Sequence, residues 1–428
     1  MIDRKTTPAY GIIDKIQFPL PEQEILGNGL PMHTIQGGVH DIVRLDYSFP
    51  AGSRYASLPL TALAVNQLLQ EGTKKYHARE LAEKLDYYGA VFKPWITSDT
   101  AGFTVFSLSK HLIPVTGLVH SMITEPVFPE EELLVFLQKR KQQFLVEMER
   151  VSYRARNRFT EVLFGENHPY GRTLREDDFH RINREVLRDF WKKTYASSRS
   201  WVLVSGKPGP SRLNEMKKRL ASLPLHTEED TLPSFPDITS CPGKRHVVPM
   251  PRHMQSALRI GRLTFTRDHP DFPAMLVLNT ILGGYFGSRL MRNIREEKGY
   301  TYGIVSFLSP LHNAGYLTIV SEVGAENTAN TIKEIYREME TMQRKPVGDE
   351  ELDLVRNYMM GDLLRELDGP FATAETYRSI VDAGMDMSHV QHIMETIKNI
   401  TPGEIGKLAQ KYLSPENMKE VIAGRMGE

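Results

Sequence analysis

Apolar and polar residues alternate through "IVRLDYSFP" (42–50) and "ALRIGRLTFT" (257–266), the period-two pattern of strands. Through 129–151 and 349–367 the apolar residues recur at helical spacing instead, which predicts two helices. Larger patterns also come in pairs. "TALAVNQLLQEG" (61–72) resembles "AMLVLNTILGG" (274–284), each an apolar helix with an asparagine in its middle and glycine at its end. A strand running into a helix begins at Ala101 and again at Ala314. A helix that stops before an apolar, strand-like segment closes at Gly206 and again, at nearly the same offset, at Gly424. Three matches in one order at nearly one offset predict two homologous domains.

Strands that cluster and helices that come in runs predict an α+β class, each domain a mainly antiparallel sheet with helices packed on one face. The expected boundaries are 1–222 for the first domain and 246–428 for the second. Residues 223–245 carry four prolines and no sustained periodicity, and are read as a linker. A length of 428 residues agrees, because a single core stops growing at roughly 250–300 residues.

Composition narrows the function classes. Lys and Arg together number 53, as do Asp and Glu, so no charge excess points to nucleic acid. Cys241 is the single cysteine, which excludes an internal disulfide and a cysteine-based zinc cluster and fits a reducing, cytoplasmic setting. The first twenty residues lack the apolar centre of a signal peptide, and no apolar run approaches 18 residues, so no membrane partner is expected.

The segment "GGYFGSRLMRNIREEKGYTYG" (283–303) is the densest in candidate chemistry. It reads as a helix with Leu290 and Ile294 on its buried face, capped by Gly299 and followed by a strand that places Tyr300 and Tyr302 on one face. Taken locally, Arg295 beside Glu296 and Glu297 reads as a solvated ion pair. Gly283, Gly284 and Gly287 lack the G-x-G-x-x-G spacing and follow a helix, which favours close-packed or flexible backbone over a phosphate cradle. His389 and His392, with Glu395 following, formally resemble a metal-binding helix face, but no fourth ligand is visible and an exposed polar face is the plainer reading. No G-x-S-x-G elbow is present, and Cys241 lies beside a proline in the linker with no histidine paired to it.

"LGGYFGSRLMRNIREEKGYTYGI", "QEGTKKYHARELAEKLDYYGA" with the following "SDTAGFTVFSLSKH", and "HPYGRT" together resemble the pitrilysin/insulinase family of inverted-motif zinc peptidases. The resemblance spans nearly the whole chain. Active members carry His-x-x-Glu-His just before the "EGT" phrase, two histidines and a later glutamate holding zinc while the motif glutamate serves as general base. Here those five positions are Leu63, Ala64, Val65, Asn66 and Gln67. Leucine offers no lone pair, asparagine cannot take and return a proton, and a neutral amide oxygen is a poor zinc ligand. The later ligand position is matched only by Glu147, as a possible remnant.

The resemblance gives Arg295 and Tyr302 a role. Active assemblies use an arginine and, seven residues later, a tyrosine of the C-terminal half to hold substrate carbonyls near the scissile bond, and this spacing is present. A guanidinium and a phenol both donate hydrogen bonds to a carbonyl or to the oxyanion formed from it. What the resemblance implies is a zinc-free, non-catalytic subunit of a heteromeric peptidase. It would have no cofactor of its own and would form a heterodimer with a zinc-bearing homologue acting on extended or unfolded peptides. The alternative is a structural or interaction protein on the same fold.

Overall fold

The computed structural model describes residue 13 and residues 15–225 and 235–425. Most of the segment read for a signal peptide, and part of the expected linker, lie outside the described residues. The N-terminal half contains β1 (Glu22–Ile25), β2 (Pro31–Gln36), β3 (Ile42–Phe49), α1 (Thr61–Leu68), α2 (Ala78–Tyr87), β4 (Val91–Ile96), β5 (Ala101–Leu108), α3 (Leu112–Thr124), α4 (Glu130–Met148), α5 (Val151–Phe164), α6 (Asp178–Arg181), α7 (Arg184–Thr194), β6 (Trp201–Gly206) and α8 (Pro210–Leu220). The C-terminal half contains β7 (Arg245–Pro249), β8 (Gln255–Thr264), α9 (Phe272–Asn279), β9 (Thr301–Pro310), β10 (Gly315–Gly324), α10 (Thr328–Arg344), α11 (Asp349–Glu366), α12 (Gly369–Val381), α13 (Ser388–Asn399), α14 (Pro402–Tyr412) and β11 (Lys419–Gly424).

The strands form two sheets, in the orders β1-β2-β6-β3-β5-β4 and β7-β11-β8-β10-β9. In each, one neighbouring pair is parallel, β2 with β6 and β7 with β11, and the other pairings are antiparallel. Set β7, β11, β8, β10 and β9 against β2, β6, β3, β5 and β4 and the two orders coincide. The α+β class and the mainly antiparallel sheets are as the sequence predicts.

The layering differs from that expectation in one respect. One face of the first sheet packs its apolar side chains, such as Leu45, Phe103 and Val204, against α1, α3, α7 and α8 of its own half. Its opposite face is covered by α12 of the other half, where Tyr377 and Ile380 share a core with Ile35 and Leu203. Reciprocally, α5 leaves the first half and packs Phe159 and Val162 against Ala257 and Val421 of the second sheet. These helices begin at Val151 and Gly369, the same spacing that separates Gly206 from Gly424, so equivalent elements of the repeat are exchanged.

The exchange changes what alternation means in β3. Arg44, Asp46 and Ser48 stand at the polar positions of that strand, yet all three are buried. Arg44 donates through Nη1 to the Phe371 carbonyl at 2.9 Å and pairs with Asp46 at 2.7 Å and with Glu375. Asp382 accepts from Ser48 Oγ at 2.6 Å and from Trp201 Nε1 at 3.2 Å. A second junction centres on Arg54, which donates to Tyr170 Oη of "HPYGRT" at 2.7 Å and pairs with Asp99 at 3.0 Å. The backbone N–H of His312 closes it by donating to Asp99 at 3.2 Å. Burial of polar groups is tolerated at both junctions because nearly all of them find partners, Arg54 Nε excepted.

Candidate functional site

Helix α1 turns Ala62, Ala64, Val65 and Leu68 into the first core, which leaves Leu63 and Gln67 on its other flank. Asn66 is buried and faces inward. Its Nδ2 donates to the Trp95 carbonyl at 2.7 Å and the Gly102 carbonyl at 3.1 Å, and its Oδ1 accepts from Tyr195 Oη at 3.1 Å. The asparagine therefore ties α1 to β4 and β5, with both ends of the amide occupied. Asn279, its counterpart in the repeat, reproduces half of this by donating Nδ2 to the Ser306 carbonyl of β9 at 3.2 Å.

Leu63 and Gln67 line a cavity of about 480 Å³ together with Gln70, Glu71, Lys139, Arg140 and Gln143. Burial and the neighbouring Glu132 push the Glu71 carboxyl up. Glu147 is not among the lining residues; it sits at the end of α4 and pairs with Arg140 at 3.3 Å. These residues do not fit zinc: a leucine and an engaged asparagine stand at motif positions, and two cations, Lys139 and Arg140, line the same space. Among the described residues, no group of three or more His, Cys, Asp or Glu side chains could hold a metal ion. The polar residues of α4 that face this cavity are Glu132, Lys139, Arg140 and Gln143. Their helical spacing was visible in the sequence, whereas their orientation toward α1 was not.

In the C-terminal half, α9 runs on into π-type turns over Thr280–Gly284, and the predicted α-helix before the tyrosines is itself a π-type helix, Met291–Glu297. Leu290 and Ile294 are buried as expected, and Lys298 N–H donates to the Asn293 carbonyl at 3.0 Å across the wider turn. Gly299, at φ +68°, supplies the left-handed residue that ends it. Gly283 is a close-approach glycine, since a Cβ there would lie 2.7 Å from Ser306 Oγ.

Beyond Gly299 the register of β9 with β10 slips. Thr301 faces Val323 and Ile304 faces Ser321, so Tyr302 and Gly303 oppose Glu322 alone, a β-bulge. Bulges re-aim side chains. Tyr302 is 94% exposed, whereas Tyr300 packs on the core, so the two tyrosines do not share the common face that simple alternation gives. Arg295 does not form the local ion pair either. Its guanidinium lies over the ring of Phe286, 4.6 Å from the centroid.

His389 and His392 are also drawn apart. His389 lines a cavity beside α9, with its ring 5.7 Å from that of Phe272, and burial lowers its affinity for a proton. His392 and Glu395 line a separate recess with Asp271 and Glu404. Only the latter pair lies on an exposed face.

Comparison with known proteins agrees with this description. Residues 181–359 match the family described as the peptidase M16 inactive domain. An uncharacterized zinc protease of Bacillus subtilis is 24% identical over 332 residues, covering 74% of this chain and 77% of that protein. The crystal structure of a peptidase M16 inactive domain from Pseudomonas fluorescens superposes with a TM-score of 0.83 at 21% identity, covering 95% of this chain and 98% of the other. That of a protease from Helicobacter pylori gives 0.87 at 18% identity, covering 95% and 100%. The chain has the fold of these peptidase structures, and its resemblance to the pitrilysin/insulinase peptidases is consistent with the family match over residues 181–359. The part of the chain that matches that family model, residues 181–359, includes β7 to β10 of the C-terminal half. Among the described residues, no helix is long and apolar enough to cross a membrane.

Proposed function

We propose that this chain is the zinc-free subunit of a heteromeric zinc metallopeptidase, supplying Arg295 and Tyr302 to a site whose metal belongs to a homologous partner. The observation that carries the reading is the presentation of these two donors: a phenol held outward by a bulge, and a guanidinium stacked on an aromatic ring rather than neutralised by a carboxylate. The partner would activate water, and this chain's donors would hold the peptide carbonyl and the oxyanion that develops from it. Strands β4 and β9 each end a sheet, and the partly exposed Val305 and Phe307 on β9 suit an extended peptide that adds as a further strand. Such capture rests on main-chain hydrogen bonds and so tolerates varied sequences. The pairing is a heterodimer in a cytoplasmic setting.

The test is a peptide-cleavage assay on this chain, on a co-expressed zinc-bearing homologue, and on their mixture. Turnover in the mixture well above that of either protein alone is expected. A mixture no faster than the homologue alone would remove the proposal and leave a structural or interaction role on the peptidase fold.

A further inference from the structure

Helices α9, α11, α12 and α13 enclose a cavity of about 690 Å³, inside the range of small-ligand sites, roughly 300–1,000 Å³. Its lining is mainly apolar, with Phe272, Leu276, Leu363, Val390, Ile393 and Ile397 contributing. Three of its polar lining residues each carry a buried atom without a hydrogen-bond partner: Arg267 Nε, Asn279 Oδ1 and His389 Nε2. Unpaired buried polar atoms also occur elsewhere among the described residues, Arg54 Nε and Trp95 Nε1 for example, but here three of them gather around one apolar space of ligand size.

Arg267 is the most informative of the three. Its Nη1 donates to the Ser379 carbonyl at 3.1 Å and to Ser379 Oγ at 3.3 Å, both neutral acceptors. Burial disfavours its charged form, and Asp382 and Glu366 only partly offset this from a distance. Arg44 and Arg289 are neutralised directly, by Asp46 at 2.7 Å and by Glu351 at 2.6 Å, whereas Arg267, like Arg259, has no carboxylate within ion-pair distance among the described residues. Arg267 is half-buried, with Nε enclosed and Nη1 toward the surface, so its guanidinium remains available to an anion that enters the cavity.

Asn279 narrows the class of ligand. Its Nδ2 is engaged by Ser306, so the free Oδ1 calls for an N–H or O–H donor. Asp362 and Glu366 line the same cavity and also favour a ligand that carries donors besides its negative charge. A hydrocarbon carboxylate has no such donors along its chain, whereas a peptide does.

We infer that this cavity binds the free C-terminal end of a short apolar peptide. The carboxylate lies against Arg267, a backbone N–H points to Asn279 Oδ1, and the apolar side chains lie among Leu276, Leu363 and Ile393. The site is separate from Arg295 and Tyr302 and needs neither zinc nor a partner subunit, so its test is independent of the peptidase reading.

The experiment is isothermal titration of the full chain with N-acetyl-Leu-Leu bearing a free carboxylate, with the corresponding C-terminal amide, and with decanoate. The peptide acid is expected to bind roughly tenfold to a hundredfold more tightly than the amide, since a charged hydrogen-bond partner is lost in the latter. Decanoate is expected to bind more weakly than the peptide acid. Arg267→Gln should abolish the preference of acid over amide, and Ile393→Phe, which shrinks the cavity, should weaken both peptides. Equal binding of acid and amide, no binding of either, or a preference that survives Arg267→Gln would overturn the inference. Decanoate binding as tightly as the peptide acid would overturn the peptide assignment. Should Arg267→Gln not fold, the comparison of acid with amide on the unaltered chain decides the matter.

Discussion

The two halves share one strand order and use it to opposite ends. In the N-terminal half the asparagine of the motif helix is saturated, its Nδ2 on Trp95 and Gly102 and its Oδ1 on Tyr195. In the C-terminal half the equivalent Asn279 makes one of these bonds and leaves Oδ1 open beside a cavity. Strand β4 pairs regularly with β5, whereas β9 breaks its register with β10 and turns Tyr302 outward. At these paired positions the first half satisfies its side chains within its own core, and the second keeps an amide oxygen and a phenol available. A repeated fold thus does not imply a repeated site, because function rests on how few groups are left unsatisfied and where they point.

Four measurements would break or sharpen that contrast. The largest effect is expected where the halves are exchanged. Phe159→Ala on α5, buried against the second sheet, should cost about 3–5 kcal/mol. All three tryptophans, Trp95, Trp191 and Trp201, belong to the first half. Their fluorescence should nonetheless shift to a lower denaturant midpoint together with circular dichroism. A fluorescence midpoint that stays put would mean the halves unfold separately.

Next in size is the presented pair. In the mixed peptidase assay, Arg295→Ala should lower turnover about 100- to 1000-fold, as removal of a single oxyanion donor does in working sites. Tyr302→Phe should lower it in the same direction with the chain's melting temperature unchanged, because the phenol is exposed. An equal effect on stability would make the residue structural instead.

Asn66→Ala should destabilise the chain by about 3 kcal/mol, since it leaves two buried carbonyls and a hydroxyl without their partner. Asn279→Ala should cost less, having a single direct side-chain donation to lose. Equal losses from urea denaturation of the two variants would erase the asymmetry between the halves.

The smallest effect is a pH dependence at the exchanged helix. His33 touches Tyr377 of α12 through Nδ1, 2.9 Å from its hydroxyl, and burial pushes the imidazole down to about 4 from its ordinary 6.5. Between those values the unfolded chain binds a proton that the folded chain does not, so stability present above pH 6.5 falls as the solution is acidified. At pH 5 the loss through His33 is about 2 kcal/mol. Asp382, pushed up by burial, acts with the opposite sign, so the readout is the difference between the parent and His33→Gln. The variant should lose less stability from pH 7 to pH 5, and parallel curves would show that the imidazole does not stay neutral in the fold.

Much of the architecture was legible in the chain. The recurring offset between matched segments, Ala101 with Ala314 and Gly206 with Gly424, disclosed the duplication, and the coincident sheet orders follow it. Leu290, Ile294 and Gly299 fell where their local pattern placed them. Tyr302 did not, because one extra residue in a bulge reverses alternation, and nothing in "GYTYG" specifies which side of the pair will carry it. The paired histidines misled for a related reason. Spacing of i, i+3 puts two residues near one another on a helix, but two different neighbours of α13 took them into different cavities.

What the sequence determined by itself was the repeated α+β pattern and the absence of imidazole and carboxylate from Leu63, Asn66 and Gln67, because residue type fixes what a side chain can ligate and period fixes what it can bury. Only the tertiary structure decided that α5 and α12 trade places, that Arg44, Asp46 and Ser48 are buried under a helix from the other half, and that Arg267 lies in a cavity without a paired carboxylate. Those outcomes depend on contacts between residues far apart in the chain, and no local pattern carries the identity of a distant partner.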